Sequence, residues 1–211
     1  MTARDNLNEL DSFHDEDELN VIIETPKGSR NKYNYDEELR LFKLGGVLTS
    51  GAVFPFDFGF LPGTRGDDGD PLDILLLLDD PVPAGCLVRA RLVGVIEAEQ
   101  TERDGETTRN DRLIAVAAES RLHANVRTLQ DLGSGLPEEI EHFFVSYNQA
   151  KGKEFKPLGH FGPKRALKLV EEGVRQFKKS KKKKRTRAKS GGSKAGGKKR
   201  AKRGGKRRAK G

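Results

Sequence analysis

The chain has 211 residues, 34% of them charged and 34% apolar, which suits one ordinary domain with appendages and leaves little for a second. Its 40 Lys and Arg against 32 Asp and Glu give a formal charge of +8. That sum hides a division: residues 178–211 carry 19 Lys and Arg and no carboxylate, so residues 1–177 hold 21 basic side chains against 32 acidic ones, a net of −11. A lone Cys86 excludes an internal disulfide and a Cys-based zinc site. No apolar run nears the roughly 20 residues of a membrane span, and the acidic N-terminus lacks a signal peptide's apolar stretch, so no membrane partner and a cytoplasmic location are expected.

In chain order, residues 1–20 are polar and acidic with scattered Leu7, Leu10, Phe13 and Leu19, which predicts a loose arm. Residues 21–177 carry the periodic patterns of a body. Val21 to Thr25 is a β-branched run ending at Pro26, and Asn31–Asp36 with Leu39–Leu44 reads as a hairpin around Glu37-Glu38. Phe54, Phe56, Phe58 and Phe60 alternate as on a strand with aromatics stacked on one face. Ile74–Leu78 is a continuous apolar run, fitting a strand buried on both faces. Leu87–Ile96 and Leu113–Ala118 predict further strands around a polar loop through Asp104-Gly105. With no βαβ alternation, a small barrel is expected rather than a doubly wound sheet. Two helices follow. Ile140, Phe143, Phe144 and Tyr147 fall on one face after Pro137, and Leu167, Val170, Val174 and Phe177 repeat the pattern after Pro163. The fold class is α+β, mainly β. Residues 178–211 contain only Lys, Arg, Ala, Gly, Ser and Thr, too little apolar surface to offset ordering entropy, and disorder is expected there.

The densest carboxylate cluster, Asp67-Asp68-Gly69-Asp70-Pro71-Leu72-Asp73, opens directly into the Ile74 strand. Three carboxylates held within six residues repel one another unless a cation sits among them, and hard oxygen ligands suit Mg²⁺ or Mn²⁺. A solvated acidic turn has the same composition. An EF-hand fits poorly, since Leu72 would fall at a ligand position, and no G-x-x-x-x-G-K-[ST] loop is present. His14, His123, His142 and His160 are too scattered for a metal motif.

Glu24, Lys32-Tyr33, the Phe54–Phe60 segment, Asp68-Gly69-Asp70-Pro71-Leu72-Asp73, Val93-Gly94-Val95, Asn110 to Val116, and His142-Phe143-Phe144 with Tyr147 occur in the order and spacing of the soluble family I inorganic pyrophosphatases. The chain resembles that family over roughly residues 20–175. The resemblance implies a five-stranded OB-like barrel flanked by helices, hydrolysis of pyrophosphate with several Mg²⁺ ions, and a homo-oligomer, the family including dimers and hexamers. By position, Asp68, Asp70 and Asp73 resemble the metal-binding aspartates, and Asp70 the one that also takes a proton from the nucleophilic water. Glu24 resembles a carboxylate beside the metals. Lys32 and Arg112 resemble phosphate-binding cations, and Tyr147 a hydroxyl donor to phosphate.

Other matching positions differ. Asn34 stands for a family Glu, Gly46 for an Arg, Phe54 and Phe58 for two Tyr, Asn148 for a Lys, and Arg112 for a Lys. The two later metal aspartates fall at Asn110 and near Gln100, with Glu99, Glu102, Asp104 and Asp111 as candidate substitutes; Asn110 and Asp111 complete the expected metal set. Arg30, Lys43, Arg65, Lys151 and Lys153 are candidate replacements for the lost cations, with a plain surface charge as the alternative at each. Three readings follow: an active, divergent pyrophosphatase, a hydrolase of another small phosphoanhydride, and a non-catalytic binding protein. The basic segment resembles linker-histone-like tails and implies a polyanion partner through 178–211, nucleic acid first, held by counterion release; folding back onto the acidic body is the alternative.

Overall fold

The computed structural model describes residues 6–133 and 135–191. Nine strands and two helices follow in order: β1 (Leu19–Thr25), β2 (Asn31–Asp36), β3 (Leu41–Val47), β4 (Asp57–Phe60), β5 (Asp73–Leu77), β6 (Leu87–Thr101), β7 (Thr107–Arg109), β8 (Arg112–Ala117), α1 (Leu136–Ala150), β9 (Glu154–Phe161) and α2 (Pro163–Gly191). Strands pair in the order β1-β4-β5-β8-β6, and β6 returns to β1 through Leu19–Ala90 to Ile22–Leu87, so five strands close a ring. β5 and β8 run parallel and the other pairs of the ring antiparallel. The expected mainly β, barrel-like architecture flanked by helices is observed.

Alternation along the strands divides the interior. Leu75 and Leu77 of β5, Ile114 and Val116 of β8, and Phe58 of β4 join Ile140 and Phe144 of α1 in one cluster. The intervening Ile74, Leu76, Leu113 and Ala115 join Ala166 and Val170 of α2 in another. Both faces of β5 and β8 are therefore covered, which is why these strands read as unbroken apolar runs. The hairpin β2–β3 forms a separate two-stranded sheet in the register Asn31–Val47 to Asp36–Leu41.

Several boundaries differ from expectation. The predicted loose arm is packed from Asn6 on: Asn8 and Ser12 are buried, Ser12 Oγ donates to the Pro62 carbonyl at 2.5 Å, and Leu19 already belongs to β1. Polar side chains that bury with their own partners leave no apolar periodicity to read. The polar loop is shorter than expected because β6 runs on to Thr101 and pairs with β7 and with β9, which the sequence analysis lacked. Pro157 and Gly159 disguise β9, whose order comes from its partner strand. The phenylalanine-rich strand begins only at Asp57, although Phe54 and Phe58 still pack at 5.6 Å. On α2 the packed face is Ala166, Leu169, Val170 and Val174, whereas Leu167 is exposed.

The chain separates into two compact units, residues 1–178 and 179–211. α2 continues to Gly191, so Lys178–Gly191 is helical rather than disordered: Lys, Arg and Ala are strong helix formers, and a helix already nucleated by packed turns extends at low cost. The remainder of the predicted disordered segment, residues 192–211, lies outside the described residues.

Gly59 shows how tightly the ring closes. A Cβ there would overlap the Ile22 carbonyl across the β1–β4 pair. Gly59→Ala is expected to cost about 1–3 kcal/mol by overpacking and to lower the thermal unfolding midpoint by several degrees, read by circular dichroism; an unchanged midpoint would contradict the close approach.

Candidate active site

The end of β1, the strand β2, the starts of β5 and β8 and the C-terminal turn of α1 surround a cleft of about 570 Å³. Glu24, Lys32, Asp70, Asp73, Arg112 and Tyr147 all line it, bringing together six of the residues expected from sequence. On the β1 side, Glu24 accepts from Lys32 Nζ at 2.9 Å and from the Tyr35 backbone N–H at 2.7 Å. Burial pushes the Glu24 carboxyl above its ordinary range, against the pull of Lys32. Lys32 lies 4.3 Å from the centroid of the Phe58 ring, so Phe58 supports this cation with its face.

The opposite wall is built on Arg112. Its side chain is buried, binds Asp73 Oδ2 at 2.7 Å, and has its guanidinium carbon 4.7 Å from the Phe144 ring centroid and 5.3 Å from that of Phe155. It also donates to Asn110 Oδ1, while Asn110 Nδ2 donates to Gln100 Oε1 at 3.2 Å. The two positions expected to hold later metal aspartates are thus adjacent neutral amides, bonded to each other and to a fixed cation.

The aspartate turn is pinned to α2. Arg65 N–H donates to the Gly173 carbonyl at 3.1 Å, and a Cβ on Gly173 would crowd Leu72 and Thr64. Within the turn, Gly66 N–H donates to the Asp70 carbonyl at 2.7 Å and Asp70 N–H to Asp68 Oδ1 at 3.0 Å. Gly69, at φ 93°, takes the left-handed conformation that lets the chain reverse there. Asp73 borders both the cleft and a second cavity of about 220 Å³, Asp70 borders the cleft, and Asp68 borders the second cavity. Enclosure by the turn and the carboxylates of Asp73 and Asp70 raise Asp68 to about 6. Asp70 is raised by enclosure and by Asp73. Both side chains keep solvent contact, so water and counterions screen these effects.

Asp111 is not part of the cleft. Its Oδ1 accepts from the Ala98 backbone N–H at 2.9 Å and from Arg109 at 2.8 Å, which ties it to β6 and β7, and it lines the second cavity with Asp68 and Asp73. Asn110 borders the second cavity. Of the candidate replacement cations, Lys43, Lys151 and Lys153 line the cleft, Arg65 lines the second cavity, and Arg30 borders neither, donating instead to the Leu48 carbonyl and Ser50. Lys151 is the residue that sequence reasoning undervalued: it donates to the Tyr147 hydroxyl one helical turn away. The i, i+4 spacing on a helix was the available signal. Asn148 is buried, with Nδ2 on the Phe144 carbonyl at 2.9 Å.

The donors divide in their fitness for a metal. The carboxylates of Asp68, Asp70 and Asp73 are hard oxygen donors whose chemistry suits a divalent cation, which would relieve their mutual repulsion. The three are not gathered within 4.8 Å of one another: Asp68 and Asp70 border different cavities, and Asp73 is paired with Arg112. The Gln100–Asn110 amides do not, being neutral and already hydrogen-bonded. Among the described residues, His14, Asp15 and Glu18 bring three ligand atoms within 4.8 Å of one another, but they lie outside the cleft on the N-terminal segment. No helix among the described residues is long and apolar enough to cross a membrane.

Comparison with known proteins agrees with this geometry. The family profile described as inorganic pyrophosphatase matches residues 21–178. An inorganic pyrophosphatase of Synechocystis is 38% identical over 160 residues, covering 76% of this chain and 92% of the relative, and one from Thermus thermophilus is 37% identical over 163 residues, covering 76% and 90%. The crystal structure of the Thermus thermophilus inorganic pyrophosphatase superposes with a TM-score of 0.75 at 35% identity, covering 82% of this chain and 99% of that one; the Helicobacter pylori enzyme gives 0.73 at 34% identity, covering 81% and 99%. The chain belongs to the inorganic pyrophosphatase family, whose members are hydrolases of pyrophosphate.

Because Asp68 is raised in the folded protein above the roughly 3.9 of a free aspartate, its ionisation disfavours the fold, and that penalty appears as pH rises through about 4 to 6. With EDTA present, Asp68→Asn is expected to melt at a higher temperature than the wild type at pH 7.5, and the difference should shrink at pH 5. A difference that grew on acidification would reverse the sign and refute the assignment.

Proposed function

We propose that this protein hydrolyses inorganic pyrophosphate to two phosphates with Mg²⁺, or Mn²⁺ in its place, and that its basic C-terminal segment holds it on nucleic acid. The observation that carries the first part is the convergence of Glu24, Lys32, Asp70, Asp73, Arg112 and Tyr147 on one cleft. The reaction, P₂O₇⁴⁻ + H₂O → 2 HPO₄²⁻, needs charge neutralised on both phosphoryl groups and a proton removed from water. A divalent cation, which Asp68, Asp70 and Asp73 would hold, would supply positive charge and make a bound water a better nucleophile. Lys32 and Arg112 hold the phosphoryl oxygens, the Tyr147 hydroxyl donates to them, and Glu24 keeps Lys32 in place. Asp70 takes the proton; burial, and then crowding by Asp73, raise its basicity toward that task.

The neutral Gln100–Asn110 pair favours a second reading, binding of a metal-phosphate without turnover, because it removes two anionic metal ligands. Hydrolysis of another small phosphoanhydride would use the same groups. Phosphate release from pyrophosphate at millimolar Mg²⁺, with Mn²⁺ in parallel, separates these readings. Turnover is expected in the wild type and a loss of at least about 100-fold in Asp70→Asn, the scale of a general base. A folded wild type with no turnover in either metal would leave only the binding reading.

The second part is supported by Lys178–Gly191, a helical stretch without a carboxylate. Such a segment binds phosphate backbones by releasing counterions, with affinity falling steeply as salt rises. Deleting residues 178–211 is expected to abolish retention on DNA–agarose at about 100 mM salt, and undiminished retention would dismiss the tether. Pyrophosphate is a product of nucleic-acid polymerisation, so such a tether would hold the enzyme near its substrate's source. The exposed Leu39, Leu41 and Leu44 of the hairpin support a homo-oligomer, and a cytoplasmic location is consistent with all these readings.

A further inference from the structure

Five cations line the cleft: Lys32, Lys43, Arg112, Lys151 and Lys153. Four of them are already matched. Lys32 pairs with Glu24 at 2.9 Å, Lys43 with Asp36 at 2.8 Å, Arg112 with Asp73 at 2.7 Å, and Lys153 with Glu102 at 2.6 Å. Lys151 forms no ion pair among the described residues. Its ammonium lies 4.2 Å from the Tyr147 ring centroid and donates to the Tyr147 hydroxyl, which leaves two further N–H donors for an anion. Burial and the neighbouring Lys153 make its charge costly to hold without a partner.

Lys151, Tyr147 and Lys32 also border a third cavity, of about 130 Å³. Its other walls include Val47, Leu48, Ala52, Phe143 and Ala150. Gly46 sits at its margin, where an added Cβ would meet nothing within 4 Å. An apolar cavity of roughly 150 Å³ is enough to take up benzene, so this one has room for about four or five carbons. A phosphate-binding cleft and an apolar cavity thus share three residues, and the one cation lacking a carboxylate stands at their junction.

We propose that cleft and cavity form one amphiphilic site for a monoester of pyrophosphate bearing a short apolar chain, with Lys151 holding the phosphate at the junction and the chain entering the cavity beneath Gly46. The inference rests on the reading of the cleft as a pyrophosphate site and adds the class of substituent it accepts. Inorganic pyrophosphate uses the polar half alone.

The full-length chain, titrated calorimetrically with methyl, propyl, butyl and pentyl diphosphate and with inorganic pyrophosphate, tests this. Each methylene that enters the cavity is expected to tighten Kd about fourfold, and the gain should level off once the cavity is full. Gly46→Val, and Ala52→Leu from another wall, should flatten the series while leaving Kd for inorganic pyrophosphate within about twofold. Lys151→Met should weaken every member by about tenfold or more, and Lys151→Arg should recover most of that loss. A flat series in the wild type, a series that survives both cavity-filling variants, or an unchanged Kd in Lys151→Met would overturn the proposal. Pyrophosphate turnover measured on the same preparations keeps the two readings apart. An intact series without turnover removes the hydrolase and leaves the amphiphilic site, whereas turnover with a flat series does the reverse.

Discussion

One buried guanidinium organises the working end of this protein. Arg112 enters at the first residue of β8, lies against Phe144 of α1 and Phe155 of β9, and spends its donors on Asp73 and Asn110. A buried cation with its partners removed is worth several kcal/mol of destabilisation, so each of those partners is fixed in turn. Asp73 starts β5 and ends the acidic turn; Asn110 carries Gln100 with it; Phe144 fixes the helix that presents Tyr147. A lysine there would keep the charge and lose the fork that reaches Asp73 and Asn110 together.

The cleft that results is unusual in its charge economy. Four cations of its wall are matched with carboxylates, and the charge without an ion pair among the described residues sits on Asp70 of the aspartate turn, on Glu37 and Glu38 of the hairpin, and on Lys151. A metal–anion complex is the complement of that distribution, with its positive part facing the aspartates and its negative part facing the lysine. The Gln100–Asn110 pair is neutral and held by hydrogen bonds, and Arg112 is the charge fixed beside it.

Much of this was legible in the sequence where a residue's neighbours along the chain decide its fate. The acidic turn, the apolar β5 run, the hairpin and the α1 face all depend on local spacing, and each appears within a few residues of its expected place. What stayed hidden depends on distant partners. β9 is a poor strand that β6 completes, and the N-terminal segment is ordered by polar contacts such as Ser12 with Pro62. Asp111, an attractive ligand by adjacency, is drawn by the Ala98 N–H and the Arg109 guanidinium, partners that lie on the neighbouring strands β6 and β7. Lys151 shows the converse: its i, i+4 spacing from Tyr147 is a local signal, and the end of α1 sets its ammonium on the Tyr147 hydroxyl.

The closed ring has a consequence for colloidal behaviour. Joining β6 back to β1 consumes the free edges that an open five-stranded sheet would present, and the hairpin β2–β3 retains a strand rim without a ladder partner among the described residues. Leu41, Leu44 and Val47 stand exposed on that rim, the pattern that invites strand addition from another chain. Lys43 in its middle and the Gly45-Gly46 pair beside it act as gatekeepers, one by repulsion and the other by weakening β structure. Lys43, which lines the cleft, thereby also sets a charge against strand addition at that rim.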